Sequence, residues 1–113
     1  GVVFGRDNPR GCPDRKATLD PVATAAQDVT PTGIHDLGGG VSEWVADSFV
    51  VPYRDCGACR DPLVEEKTAL VDDVRIHRGG NFLSPAWMSR TATRSRNVRQ
   101  AGRLALGFRC ATR

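Results

Sequence analysis

Two glycine blocks, Gly38-Gly39-Gly40 and Gly79-Gly80, do most to limit what this chain can become. Each abuts a segment with strand-like patterning. The first precedes Val41-Ser42-Glu43-Trp44-Val45, which alternates apolar and polar residues, and the second closes Leu70–Arg78, where Val71, Val74 and Ile76 supply the apolar positions. Alternation at period two suits a strand with one buried face. Glycine at its end supplies positive φ or a close backbone approach. A further strand is expected over Leu104–Ala111, and Ser89–Arg99 alternates small residues with arginine. Residues 1–32 read as irregular, with turn signals at Asn8-Pro9-Arg10-Gly11 and Thr30-Pro31-Thr32-Gly33 and room for one short strand or turn over Leu19–Ala26. With 12 Gly and 7 Pro among 113 residues, much of the chain must be loop. No helix of useful length and no internal repeat is present.

Several classes fall away on composition. A hydrophobic content of 40%, spread along the chain, fits a globular core and argues against disorder. No apolar run approaches the roughly 18 residues of a membrane span, and the Gly-Val-Val-Phe start lacks a signal-peptide layout. The first residue is not Met, which suggests a processed or excised piece. A domain of this size buries only about two-thirds of its unfolded surface, so it gains from staples or partners.

Charge is divided along the chain. All 13 Asp and Glu lie between Asp7 and Asp73, and residues 1–74 net −6, whereas residues 75–113 hold nine Arg, no Lys and no acid, a net of +9. An acidic body with a basic nucleic-acid arm is one reading. Against it, the only aromatic after Trp87 is Phe108, and no recognition helix can be drawn. Arginine without lysine suits bidentate pairing to carboxylates, so internal pairing between the halves is the favoured reading and nucleic acid is disfavoured.

The four cysteines are sparse. Cys56-Gly-Ala-Cys59 lies in a loop bounded by Pro52 and Pro62. It admits a loop disulfide, half of a zinc site, a redox pair or free thiols, and the disulfide is favoured because neither a second close pair nor a helix-opening context is present. That choice points weakly to an extracytoplasmic or secreted setting. His35 and His77 stand alone on strand-like segments, without catalytic partners in a recognisable order. The P-loop, dinucleotide fingerprint and HExxH patterns are absent. Asp36, Gly39, Val41 and Glu43 place carboxylates seven residues apart around a glycine turn, a pattern that can offer oxygens to a hard cation. By spacing alone the plainer alternative is stronger: Asp36 caps a turn and Glu43 pairs with an arginine.

Two blocks, Gly33-Ile34-His35-Asp36-Leu37-Gly38-Gly39-Gly40-Val41-Ser42-Glu43-Trp44-Val45-Ala46-Asp47 and Arg78-Gly79-Gly80-Asn81-Phe82 with Arg90, Arg94 and Gly107-Phe108-Arg109-Cys110-Ala111, combine into a specific pattern. Their order and spacing resemble the C-terminal half of the formylglycine-generating enzyme, or sulfatase-modifying factor, family, which reads G-L-x-D-M-x-G-N-V-x-E-W, then R-G-G-S-W/F, R-x-A-x-R and G-F-R. The matched blocks cover about half of the chain. Departures are Gly40 for the family's Asn before Val41 and Asn81 for its Ser after Gly-Gly.

The resemblance implies an α+β, loop-rich fold of the C-type-lectin-like kind, mainly short antiparallel strands here, with residues 1–113 forming the C-terminal part of one domain. An upstream half of the domain, or a processed partner chain, is then expected to complete it. It also implies a structural calcium ion on Asp36, Gly39, Val41 and Glu43. Cys110 matches a family cysteine that bonds the upstream half, and within this chain its distant candidate is Cys12. Family enzymes oxidise a substrate cysteine with copper held by two cysteines shortly after the R-G-G-S block. Here Ser84 stands near the first of these positions, and no cysteine occurs between Cys59 and Cys110. Copper(I) selects thiolates, so no copper is expected. The leading expectation is a non-catalytic binding or sensor domain whose ligand contacts come from Asn81, Ser84, Trp87, Arg90 and Arg96. The alternatives are an oxidoreductase of the family acting on a peptide or small molecule, and a ligand-binding protein with a diversified C-terminal loop.

Overall fold

The computed structural model describes residues 19–50, 57–60, 62–65 and 73–112. Strand β1 spans Ser42–Ser48, β2 Val74–Arg78, β3 Ser95–Val98 and β4 Leu106–Gly107, in the sheet order β3-β2-β1-β4. The alternating segment after the triple glycine is β1, and it runs three residues past Val45. Ser48 N donating to Val64 O, and Phe49 N donating to Val74 O, carry that extension. Glu43 faces Arg78 and Trp44 faces His77 across the antiparallel β1–β2 pair, and the register shifts before Ser48 meets Arg75. β3 joins antiparallel to β2, with Ile76 opposite Arg96 and His77 opposite Ser95.

β4 pairs parallel to β1, Ser42 with Leu106 and Glu43 with Gly107, while the β1–β2 and β2–β3 pairs are antiparallel, in keeping with mainly antiparallel strands. The expected final strand needs correcting: it is two residues long rather than spanning Leu104–Ala111. Leu106 N is turned onto Arg103 O, and Phe108 beyond the strand is 75% exposed, so only the short stretch against Val41–Glu43 has a partner. The α+β reading becomes mostly sheet: the one helical element among the described residues is a 3-10 turn at Ala86–Ser89, started by Pro85. Leu19–Ala26 forms turns.

The glycine blocks explain how the sheet holds the loop that leads into β1. Gly79 has φ +79°, and a Cβ there would lie 2.8 Å from the Leu37 carbonyl oxygen. A Cβ on Gly80 would lie 3.1 Å from Gly38 O and 2.2 Å from Ser89 Oγ. The loop before β1 and the chain after β2 therefore pack backbone on backbone, a separation only glycine allows. Phe82 N donating to Gly40 O ties the same two blocks together. Around this seam lie the buried apolar residues Ala25, Val50, Ile76, Phe82 and Ala105. Ser42 and Ser84 are buried beside them, each satisfied by hydrogen bonds.

The basic segment is used inside the fold, though not only on carboxylates. Asp73 receives Arg75 Nε at 2.9 Å and Arg99 Nη1 at 3.1 Å. These contacts, the Arg75 hydrogen bond first, hold the Asp73 carboxyl below its ordinary range. Arg78 donates instead to Thr91 O at 2.8 Å, and Arg94 to Val50 O at 3.1 Å, so both stitch loops to the sheet through main-chain carbonyls. The guanidiniums of Arg94 and Arg96 lie 5.1 and 4.8 Å from the centre of the Phe49 ring.

Cys110 is a free, exposed thiol among the described residues. Phe108, Arg109, Cys110 and Ala111 are all exposed, which leaves the thiol at the surface rather than packed against another segment. Cys12 and Cys56 lie outside the described residues, and Cys59 is half-buried.

Candidate functional site

The loop leading into β1 is built to present carboxylates. Gly33 N donates to Thr30 O and Thr30 N to Ile34 O, which closes the turn signalled by Thr30-Pro31-Thr32-Gly33. Val29 and His35 form an isolated bridge, and Asp36 N donates to Asp28 O. The Asp28 carboxylate then accepts Gly38 N at 3.0 Å to both oxygens. Asp36 sits at φ +61°, a left-handed conformation that Asp tolerates better than most residues. Its Oδ2 accepts Ala23 N at 2.7 Å and pins the preceding turn.

Glu43 projects from β1 into the fork of Arg109. Arg109 Nε donates to Oε2 at 2.7 Å, its Nη2 to Oε1, and its Nη1 to His35 O at 3.0 Å. The Glu43 bond, with Asp36 and Asp28 nearby, pushes the Arg109 pKa up. The four residues singled out as metal donors, Asp36, Gly39, Val41 and Glu43, all line one pocket of about 270 Å³, together with Asp28 and Arg109. The plainer alternative for Asp36 and Glu43 is thus present as hydrogen bonds, while all four residues also line one cavity. Among the described residues no three His, Cys, Asp or Glu side chains converge as a metal cluster. A set of two carboxylates and two carbonyls does not require such a cluster.

The expected ligand contacts are more scattered. Asn81 Nδ2 donates to Ser42 Oγ at 2.9 Å, which donates to Gly79 O at 3.1 Å, and Asn81 Oδ1 accepts Leu83 N at 3.0 Å. Ser84 Oγ accepts Asn81 N at 2.8 Å and donates to Asn81 O at 3.0 Å. These two residues shape the loop after the glycines. Trp87 is 56% exposed on the 3-10 turn, Arg90 is exposed just past it, and Arg96 stands over Phe49.

The model of the sulfatase-modifying factor enzyme 1-like domain matches residues 4–113. The chain belongs to that family. No curated protein and no solved structure matches it. In this sulfatase-modifying-factor domain the matched region extends well beyond the two motif blocks, and it takes in a pocket that sequence reasoning missed. That pocket, about 460 Å³, is lined by Ser42, His77, Asn81, Arg103 and leucines of both flanking loops. His77 makes an edge-on contact with Trp44 at 5.8 Å, and its Nδ1 is buried without a hydrogen-bond partner. Burial, and then the charge of Arg103, lower the His77 pKa. The only sequence signal was a histidine at alternating register in β2, facing Trp44 across the β1–β2 pair.

Proposed function

We propose that this sulfatase-modifying-factor domain is a non-catalytic binding domain, stabilised by calcium and arranged in the C-type-lectin-like manner. The observation that carries it is the loop after Gly79-Gly80. Where a copper oxidase of this family needs a thiol pair, Ser84 stands near the first position, its hydroxyl committed to Asn81, and the sequence offers no cysteine between Cys59 and Cys110. Hydroxyls do not hold copper(I) as thiolates do.

Calcium would be held by the Asp36 and Glu43 carboxylates and the Gly39 and Val41 carbonyls. The placing of all four residues on one pocket, together with Asp28, supports this. When bound, the ion supplies charge neutralisation that holds the glycine loop on the sheet. Arg109 already does part of that work, and Glu43, with four lone-pair sites, can serve both cations.

Ligand contact is assigned to the face carrying Asn81, Ser84, Trp87, Arg90 and Arg96. The Cys56–Cys59 pair is proposed to be a disulfide, consistent with an extracytoplasmic setting. An upstream half of the domain or a partner chain is proposed to cover part of the surface, since Val22, Trp87, Leu104 and Phe108 are all more than half exposed. No described helix is long and apolar enough to cross a membrane. Oxygen consumption in the presence of copper and a cysteine-containing peptide tests the central distinction. The expected rate equals that of copper and peptide without protein, and peptide oxidation above that background overturns the reading.

A further inference from the structure

The pocket between the Gly79-Gly80 seam and the 102–106 segment carries an unbalanced charge. Arg103 lines it, is exposed, and makes no ion pair or side-chain hydrogen bond among the described residues. No acid follows Asp73 in the sequence, so the 102–106 segment supplies no carboxylate of its own. His77 lines the same pocket, with its Nδ1 buried beneath the surface and without a hydrogen-bond partner. Ser42 and Asn81 have committed their polar atoms to each other and to Gly79 O, so they wall the cavity without competing for a ligand. The other walls are apolar: Leu83 and Leu104, both exposed, and Leu106, half-buried. A volume of about 460 Å³ lies within the range of small-molecule sites.

We propose that this pocket binds an anionic amphiphile, a molecule with one anionic head held by Arg103 and a short apolar tail laid on Leu83, Leu104 and Leu106. The inference rests on the binding reading above and gives it a ligand class. Head and tail act together: the guanidinium provides a charge-assisted hydrogen bond, and the leucines bury the tail.

An NMR titration of the full chain with hexanoate, acetate and hexanol separates the parts. Hexanoate is expected to shift the amides of Ser42, His77, Asn81 and residues 102–106 saturably, with acetate and hexanol each at least about tenfold weaker. Arg103→Gln should weaken hexanoate about tenfold and Arg103→Lys less, while Arg60→Gln, an equal loss of charge elsewhere, should leave it unchanged. Arg103 is exposed, and the spectrum of each variant reports directly whether it is folded. Absence of saturable hexanoate shifts, shifts confined to other residues, equal binding of hexanol, or Arg103→Gln binding like the unaltered chain overturns the proposal. Saturable binding at Trp87 and Arg90 instead would overturn this pocket and leave the binding reading standing. Peptide oxidation by the chain would overturn that reading and leave the titration interpretable.

Discussion

Arg109 and Glu43, 66 positions apart, close the molecule at the level of single residues. The Arg109 side chain is 39% exposed, so solvent discounts the pair, and a double-mutant cycle with Arg109→Gln and Glu43→Gln should give a coupling of about 1 kcal/mol. Arg109→Lys should not restore it, because an ammonium cannot reproduce the fork; urea unfolding of the four proteins measures this. His77 makes a different claim. Its pKa is lowered in the fold, so the unfolded chain takes up a proton first as pH falls. Stability is full above about pH 6.5 and declines as pH drops from there toward the depressed folded value. His77→Gln should flatten that part of the curve, and an unchanged pH slope would contradict the assignment. Pairing between the acidic and basic halves was legible in the charge split, and Glu43 with an arginine was one of the two readings open for it. Which arginine was not legible, because a contact across 66 positions leaves no local pattern. Nor was the choice of carbonyl partners by Arg78 and Arg94, since a main-chain oxygen carries no residue-type signal.

At the scale of elements, the glycine seam is the feature that sequence reading identified best. Gly38-Gly39-Gly40 reads as a site of positive φ or close approach and Gly79-Gly80 as the stop of the second strand; Gly40 takes the positive φ, and the close approach is made at Gly79 and Gly80. Gly79→Ala should cost roughly 2 to 4 kcal/mol, since the left-handed backbone and the Leu37 carbonyl at 2.8 Å both oppose a Cβ. Gly80→Ala meets chiefly the Ser89 hydroxyl, so Ser89→Gly in the same chain should recover part of the loss. Ser89→Ala alone should be near neutral, because its buried Oγ has no partner to lose. Thermal unfolding of these variants gives the ordering, and equal costs at Gly79 and Gly80 with no recovery would contradict the seam. β4 was less legible. Leu104–Ala111 contains strand-forming residues, but how many of them pair depends on the short stretch of β1 alongside, and a parallel neighbour is set by topology rather than by local alternation.

For the whole molecule, a sheet with few buried apolar side chains is held by its polar connections. Ala25, Val50, Ile76, Phe82 and Ala105 form the described core, while the acidic loop is fixed through Asp28, Asp36 and Glu43. With little hydrophobic area buried among the described residues, the proposed cation would, by neutralising the loop carboxylates, add a large fraction of a marginal stability. That imbalance also fits an upstream half or partner chain over the exposed apolar side chains. Oxidation of the Cys56–Cys59 loop can be read by intact mass, where a loss of two hydrogens is expected and four free thiols would contradict it. The calcium clamp at the glycine loop is the central claim, and thermal unfolding with calcium added or chelated tests it most directly. With calcium at about 100 times its dissociation constant the melting temperature should rise by roughly 10 °C or more, and Asp36→Ala with Glu43→Ala should abolish the difference. A melting temperature unchanged by chelation in the unaltered chain would contradict the account.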